Sequence, residues 1–189
     1  MLLALGKPGL RFGGNKLDRN IFWSSTGEKA PEGKTLVTPQ DLRRVMKTVQ
    51  KIDAKVTLGI PLGTFDPKRG AEMTKHAAAI FGEHLVGISI GNEPDGFTSG
   101  ARTGLKLREP ETWNESEYIK QVRRYIEALD AEVESDVPII GPDVFDGSWM
   151  SAFLAAEIPN TAALTQHYYA TYECSSTAVP GRGPEWRIF

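Results

Sequence analysis

Leu85-Val86-Gly87-Ile88-Ser89-Ile90-Gly91-Asn92-Glu93-Pro94-Asp95 is the stretch on which the fold turns. A short apolar run that stops at glycine, a polar pair and proline has the pattern of a buried strand. Such a strand delivers side chains at its C-terminal end, and in parallel α/β folds chemistry sits there. A carboxylate at that point, with an amide beside it and a proline blocking helix continuation, suits a held general acid. The plainer alternative is an ordinary strand-to-loop turn, because Asn and Asp are routine turn residues.

The flanking sequence alternates strands and helices. Gly9 to Phe12 reads as a strand ending in Gly13-Gly14-Asn15. Thr38-Pro39 opens a helix to about Lys51, with Thr as cap, Pro at the first position, and Leu42, Val45, Met46 and Val49 at helical spacing. Lys55 to Ile60 is the next strand, and Asp66-Pro67 starts a helix to about Phe81. Beyond the Asn-Glu-Pro strand, a polar loop from Phe97 to Pro110 precedes a helix from Glu115 to Leu129 with Tyr118, Val122 and Tyr125 on one face. Pro138 to Ile140 is a strand ending in Gly141-Pro142-Asp143, Trp149 to Ala156 a short helix, and Ala162 to Tyr168 a fifth strand. Residues 175–189 show neither helical nor strand periodicity and read as an irregular tail, disordered or non-native, after one domain over 1–174.

Composition narrows the function classes. The 189 residues fit one domain with a real core. A net charge of −2 argues against a nucleic-acid or anionic-membrane surface as the main partner. Cys174 is the single cysteine, so neither an intrachain disulfide nor a cysteine metal site is expected, and no cofactor or metal pattern is visible. No apolar stretch approaches the roughly twenty residues of a membrane span. Met1 to Leu5 is too short for a secretory h-region, which points to a cytoplasmic protein or to a chain whose start is missing.

Strands joined through helices imply a parallel sheet, closed as a doubly wound sheet or as a (β/α)₈ barrel. A barrel needs eight strands and typically about 250 residues, and fewer are legible here. Gly13-Gly14-Asn15 lacks the spacing of a dinucleotide or phosphate fingerprint. The strand ends are more specific. Arg11-Phe12-Gly13-Gly14-Asn15 with Asp18 and Trp23, then Gly91-Asn92-Glu93-Pro94-Asp95, then Gly141-Pro142-Asp143 with Trp149, then Gln166-His167-Tyr168-Tyr169, follow in this order. The series resembles the heparanase-like β-glucuronidases, glycoside hydrolase family 79, in the clan of (β/α)₈ retaining glycosidases, over roughly Leu10 to Tyr169. The resemblance implies a partial TIM barrel spanning strands two to six, an oligosaccharide or glycoside substrate, and a secreted protein.

The resemblance makes Glu93 the general acid/base and Asn92 a ligand of the sugar 2-hydroxyl. A retaining mechanism also needs a second carboxylate about 5 Å away. In the family it lies on strand seven, beyond the His-Tyr-Tyr strand; Glu173 and Glu185 are the only later carboxylates and neither follows an apolar strand. No nucleophile is assigned in this chain, and as a fragment it is expected to be inactive. A neutral β-linked sugar as substrate, or a non-catalytic fragment with weak carbohydrate binding, stand as alternatives.

Asn15 and Asp18 are sugar-site candidates, or structural members of their turn. Tyr168 and Tyr169 are substrate-binding candidates, one toward the sugar or nucleophile while its neighbour packs in the core; alternation puts His167 and Tyr169 on one face. Arg102, Lys106 and Arg108 either attract a uronate or form a solvated basic loop. Trp113 and Trp149 stack on sugar or anchor the core. His76 and His84 are expected to be solvated. A five-stranded arc leaves two edges unpaired, so edge-to-edge self-association is expected, with Val56, Leu58, Ile88 or Ile90 exposed on the inner face.

Overall fold

Five parallel strands carry the molecule, and their order excludes the doubly wound alternative. The computed structural model describes residues 4, 6–99, 106–134 and 136–168. The strands are β1 (Gly9–Phe12), β4 (Lys55–Ile60), β5 (Leu85–Ile90), β6 (Ile139–Val144) and β7 (Thr161–Gln166). They lie side by side in the order β1-β4-β5-β6-β7, every pair parallel. A doubly wound sheet reverses its strand order on the far side of the first strand. No reversal occurs here, so the sheet is singly wound, as an arc of a (β/α)₈ barrel is.

The crossovers are helices whose ends are written locally. α2 (Pro39–Ile52) begins with Thr38, whose backbone N–H donates to Asp41 Oδ2 at 2.9 Å, a capping box closed by Asp in place of Glu. α3 (Pro67–Phe81) is capped by Asp66, which accepts from Arg69 N, and α4 (Glu115–Glu132) by Asn114, which accepts from Glu117 N. α5 (Gly147–Ala155) is capped by Asp146 through Ser148 N. The stretch between β1 and α2, to which the sequence pattern assigns no element, holds α1 (Lys16–Asn20) and a two-stranded parallel sheet of β2 (Ile21–Trp23) and β3 (Thr35–Val37). Elements of three to five residues are too short to show a period. β6 runs on past Ile140 through Pro142 and Asp143, because β7 pairs with it there.

The expectation of aliphatic side chains exposed on the inner face is overturned. Val56 and Ile88 are fully buried, and Leu58 and Ile90 nearly so. The register explains it. Leu58 sits opposite Ile88 and Ile60 opposite Ile90, so these residues share one face, in one cluster with Met73, Ala77 and Phe81 of α3. The other face of the two strands carries Thr57, Gly59, Gly87 and Ser89, and Leu17 of α1 lies where a Gly59 side chain would be. His76 is half-buried with its ring 5.6 Å from that of Trp23, and His84 Nδ1 is 2.8 Å from the Ala54 carbonyl, so neither histidine is simply solvated. Among the described residues no helix is long and apolar enough to cross a membrane.

Candidate active site

The C-terminal ends of β1, β4, β5, β6 and β7 meet around Glu93. Its backbone is left-handed, φ 52° and ψ 54°, which for a residue that is not Gly, Asn or Asp costs of order 1 kcal/mol. The surroundings hold it there. Glu93 N donates to the Asp143 carbonyl at 2.9 Å, Gly96 N to the Glu93 carbonyl at 2.9 Å, and Trp113 Nε1 to the Pro94 carbonyl at 2.7 Å. Gly91 precedes the turn at φ 81°, and a Cβ there would come within 2.9 Å of Leu62 Cβ, so glycine is required on both counts.

Asp18 ties two strand ends together from beneath. Its Oδ1 accepts from Leu62 N at 2.7 Å and Gly63 N at 2.9 Å, and its Oδ2 from Asn92 N at 2.8 Å. The side chain is almost wholly out of water. Burial pushes its carboxyl up to about 6, against the pull of those three N–H groups and of Arg19. Asp95 does the same work on the other side: its Oδ2 accepts from Phe145 N and Asp146 N, both at 2.9 Å, and burial chiefly raises its pKa.

Over this support lies a polar chain. Asn92 Nδ2 donates to Asn15 Oδ1 at 3.3 Å, and Arg11 donates to Asn92 Oδ1 and to Asp143 Oδ2, each at 2.8 Å. His167 Nδ1 is 2.7 Å from Glu93 Oε1, and its Nε2 is 3.8 Å from Asp143 Oδ1. Asp143, like Glu93, is left-handed, at φ 59°. The chemistry available is proton exchange between a carboxyl and an imidazole, beside an exposed amide and a half-exposed guanidinium. No group of three or more metal-ligating side chains occurs among the described residues.

The sequence candidates are distributed unevenly. Glu93, Asn92 and Asn15 are brought together, Asn15 exposed and Asn92 buried. Asp18 is buried with both carboxylate oxygens accepting from backbone N–H groups, the geometry of a brace within its turn. Tyr168 is 57% exposed, so it does not pack in the core; Tyr169 lies outside the described residues, as do Arg102, Glu173, Glu185 and 175–189. Arg108 is half-buried and bonded within the chain. It donates to the Leu62, Gly63 and Leu107 carbonyls and to Gln121, and sits 5.0 Å from the Trp113 ring. Trp113 and Trp149 are buried anchors in a cluster with Phe97 and Tyr118. Arg11, Asp143 and His167 carry no role in the sequence reading. All three stand inside the motifs it quoted, and the missing signal was their convergence across the sheet.

No family model and no curated protein matches the chain. Among solved structures, the crystal structure of a 4-O-α-L-rhamnosyl-β-D-glucuronidase from Fusarium oxysporum 12S, as its Rha-GlcA complex, is similar with a TM-score of 0.61. The match covers 89% of this chain at 17% identity, and this chain spans 39% of the length of that one. The likeness is one of fold, and the fold is one that a glycosidase uses.

Proposed function

We propose that this chain is the acid/base side of a retaining β-glycosidase site of the β-glucuronidase type, with Glu93 as general acid/base. The observation that carries the reading is the contact of Glu93 with His167 at the C-terminal end of a singly wound parallel sheet, with Asn92 and Asn15 alongside. Asn15, with Asn92 through its second amide hydrogen, would bind sugar hydroxyls. A retaining mechanism needs a free second carboxylate. Of the other described carboxylates around Glu93, Asp18 is engaged with three backbone N–H groups and Asp143 with Arg11, while Asp95 holds two backbone N–H groups on Oδ2 and keeps Oδ1 buried without a partner. Among the described residues, therefore, no nucleophile is assigned.

One observation favours a neutral sugar over a uronate. The described cations of the loop after β5 are occupied, Arg108 by carbonyls and Lys106 by Glu109 at 2.5 Å. Arg11, 39% exposed beside Asn92, is likewise paired, with Asp143 and Asn92 through one nitrogen, and would meet a carboxylate only with its remaining N–H groups.

Saturation-transfer NMR with methyl β-glucuronide and methyl β-glucoside tests the reading. Weak binding of the glucuronide is expected, reduced in Asn15→Ala; preference for the glucoside selects the neutral-sugar reading, and no binding of either at millimolar concentration sinks both. Hydrolysis of an activated aryl β-glucuronide should run no faster than in buffer. General-acid assistance is worth about 10² to 10⁴-fold only with a positioned sugar. Turnover that disappears in Glu93→Gln would mean that another carboxylate completes the site.

A further inference from the structure

His167 lies between two carboxylates, and only one of them belongs to the proposed acid. Its Nδ1 faces Glu93 Oε1 at 2.7 Å and its Nε2 faces Asp143 Oδ1 at 3.8 Å. The Asp143 side chain is 3% exposed and that of His167 18%. We propose that Asp143 is a positioning residue: by holding a proton on His167 Nε2, it leaves Nδ1 to receive a hydrogen bond from a protonated Glu93. The proposal rests on Glu93 being the general acid, since that role needs Glu93 to begin the reaction with a proton.

The tautomer follows from what each nitrogen faces. A neutral imidazole carries one proton, on either nitrogen, and the hydrogen bond made by one nitrogen sets the other. At 3.8 Å the Asp143 contact is longer than a direct hydrogen bond, so it acts as electrostatic attraction for Nε2–H. Low exposure on both sides keeps that attraction from being screened away. Once Nε2 holds the proton, Nδ1 is bare. The 2.7 Å contact is then a hydrogen bond only if the Glu93 carboxyl supplies the hydrogen. Moving that hydrogen to Nδ1 gives an imidazolium beside a carboxylate, with the same number of protons; either way the pair keeps one between them. When Glu93 protonates a glycosidic oxygen, its O–H bond breaks, the electron pair stays on the carboxylate, and His167 retains its Nε2 proton.

The other described groups around the pair are held mainly by their own partners, and Asp95 bears a like charge toward Glu93. Arg11 donates to the Asp143 oxygen that does not face His167, which fixes the rotation of the carboxylate. Asp95 and Asp18 are turned to backbone N–H groups. Thr165 Oγ1 accepts from Asp143 N at 3.2 Å, so β7 and β6 hold the residue from its backbone as well.

Long-range proton–nitrogen NMR at neutral pH reads the tautomer without substrate, so it can fail while glycoside binding stands, and the reverse. The chain has three histidines, and His76 and His84 serve as internal references. Wild type should show His167 protonated on Nε2, whether the ring is neutral or charged. In Asp143→Asn, Arg11 takes the amide oxygen and turns the NH₂ group toward Nε2. That nitrogen must then be bare, and the proton moves to Nδ1. Asp143→Glu should bring it back to Nε2. A bare Nε2 in wild type overturns the proposal, as does an unchanged tautomer in Asp143→Asn while His76 and His84 keep their signals. Should Asp143→Asn fail to fold, the wild-type spectrum alone decides.

Discussion

β5 and β7 have six residues each and the same parallel pairing, yet one is interior and the other is surface. From Gly87 to Ile90 every residue of β5 is buried, whereas β7 is exposed along nearly its whole length. Both strands carry apolar residues, so composition does not separate them. Neighbours do. β5 pairs with β4 and β6 and lies against the cluster that α3 and α4 complete, while β7 pairs only with β6 among the described residues. Beside β7, Phe153, Leu154 and Ile158 of the α5 region and Leu164 line an open groove of about 570 Å³, with Leu154 60% and Leu164 46% exposed. A barrel removes such an edge by closure.

That contrast can be broken most directly through association. The β7 edge, unpaired among the described residues, and its apolar groove should make the 189-residue chain associate with rising concentration, read by sedimentation. A strictly monomeric sample with a sharp cooperative melt would mean that the edge is protected. Leu154→Lys with Leu164→Lys should weaken the association.

The interior strand should be far more sensitive than the edge. Ile88→Ala removes a fully buried side chain and is expected to cost about 2 to 5 kcal/mol in a denaturant melt. Equal losses from Ile88→Ala and Leu164→Ala would erase the distinction between the two strands.

Asp18 sharpens the comparison, since it braces the interior strand ends. Its folded pKa is raised, so the folded state binds a proton more tightly than the unfolded chain. The stabilisation is then full below the ordinary value of 3.8 and is lost as pH rises through about 6. A loss on the order of 3 kcal/mol is expected between about pH 4 and pH 6. Melts across that range check it; a stability that rises with pH through the window, once the exposed carboxylates are matched by a control variant at Glu83, would contradict the burial of Asp18.

Arg108 is a smaller effect on the same support. Arg108→Lys loses the fork that reaches Leu62, Gly63 and Gln121 together, and should cost about 1 to 3 kcal/mol. Leu164→Ala, on the exposed strand, should stay within about 0.5 kcal/mol of wild type.

Much of the fold was legible because its signals are local. β4 matches its expected limits, Lys55 to Ile60, since an apolar run between Asp53 and Pro61 has few other conformations open to it. α2 begins where Thr38-Pro39 places it, because capping and a fixed proline φ act within one turn. α1, β2 and β3 were not legible, since three to five residues carry no period. The placement of Val56 and Ile88 went astray for a different reason: alternation says which residues share a face, not which face the helices cover.

By itself, the sequence determined the strand-helix alternation, the Thr38 cap, the glycine stop at Gly91 and a carboxylate at the end of the β5 strand. Those follow from backbone sterics and short-range patterning, which each segment carries alone. Only the tertiary structure decided that the strands run singly wound, that Asp18 and Arg108 are braces, and that Arg11, Asp143 and His167 gather around Glu93. His167 and Glu93 are 74 residues apart in sequence and 2.7 Å apart in space. Such a pairing is set by sheet order and register, which no local pattern encodes.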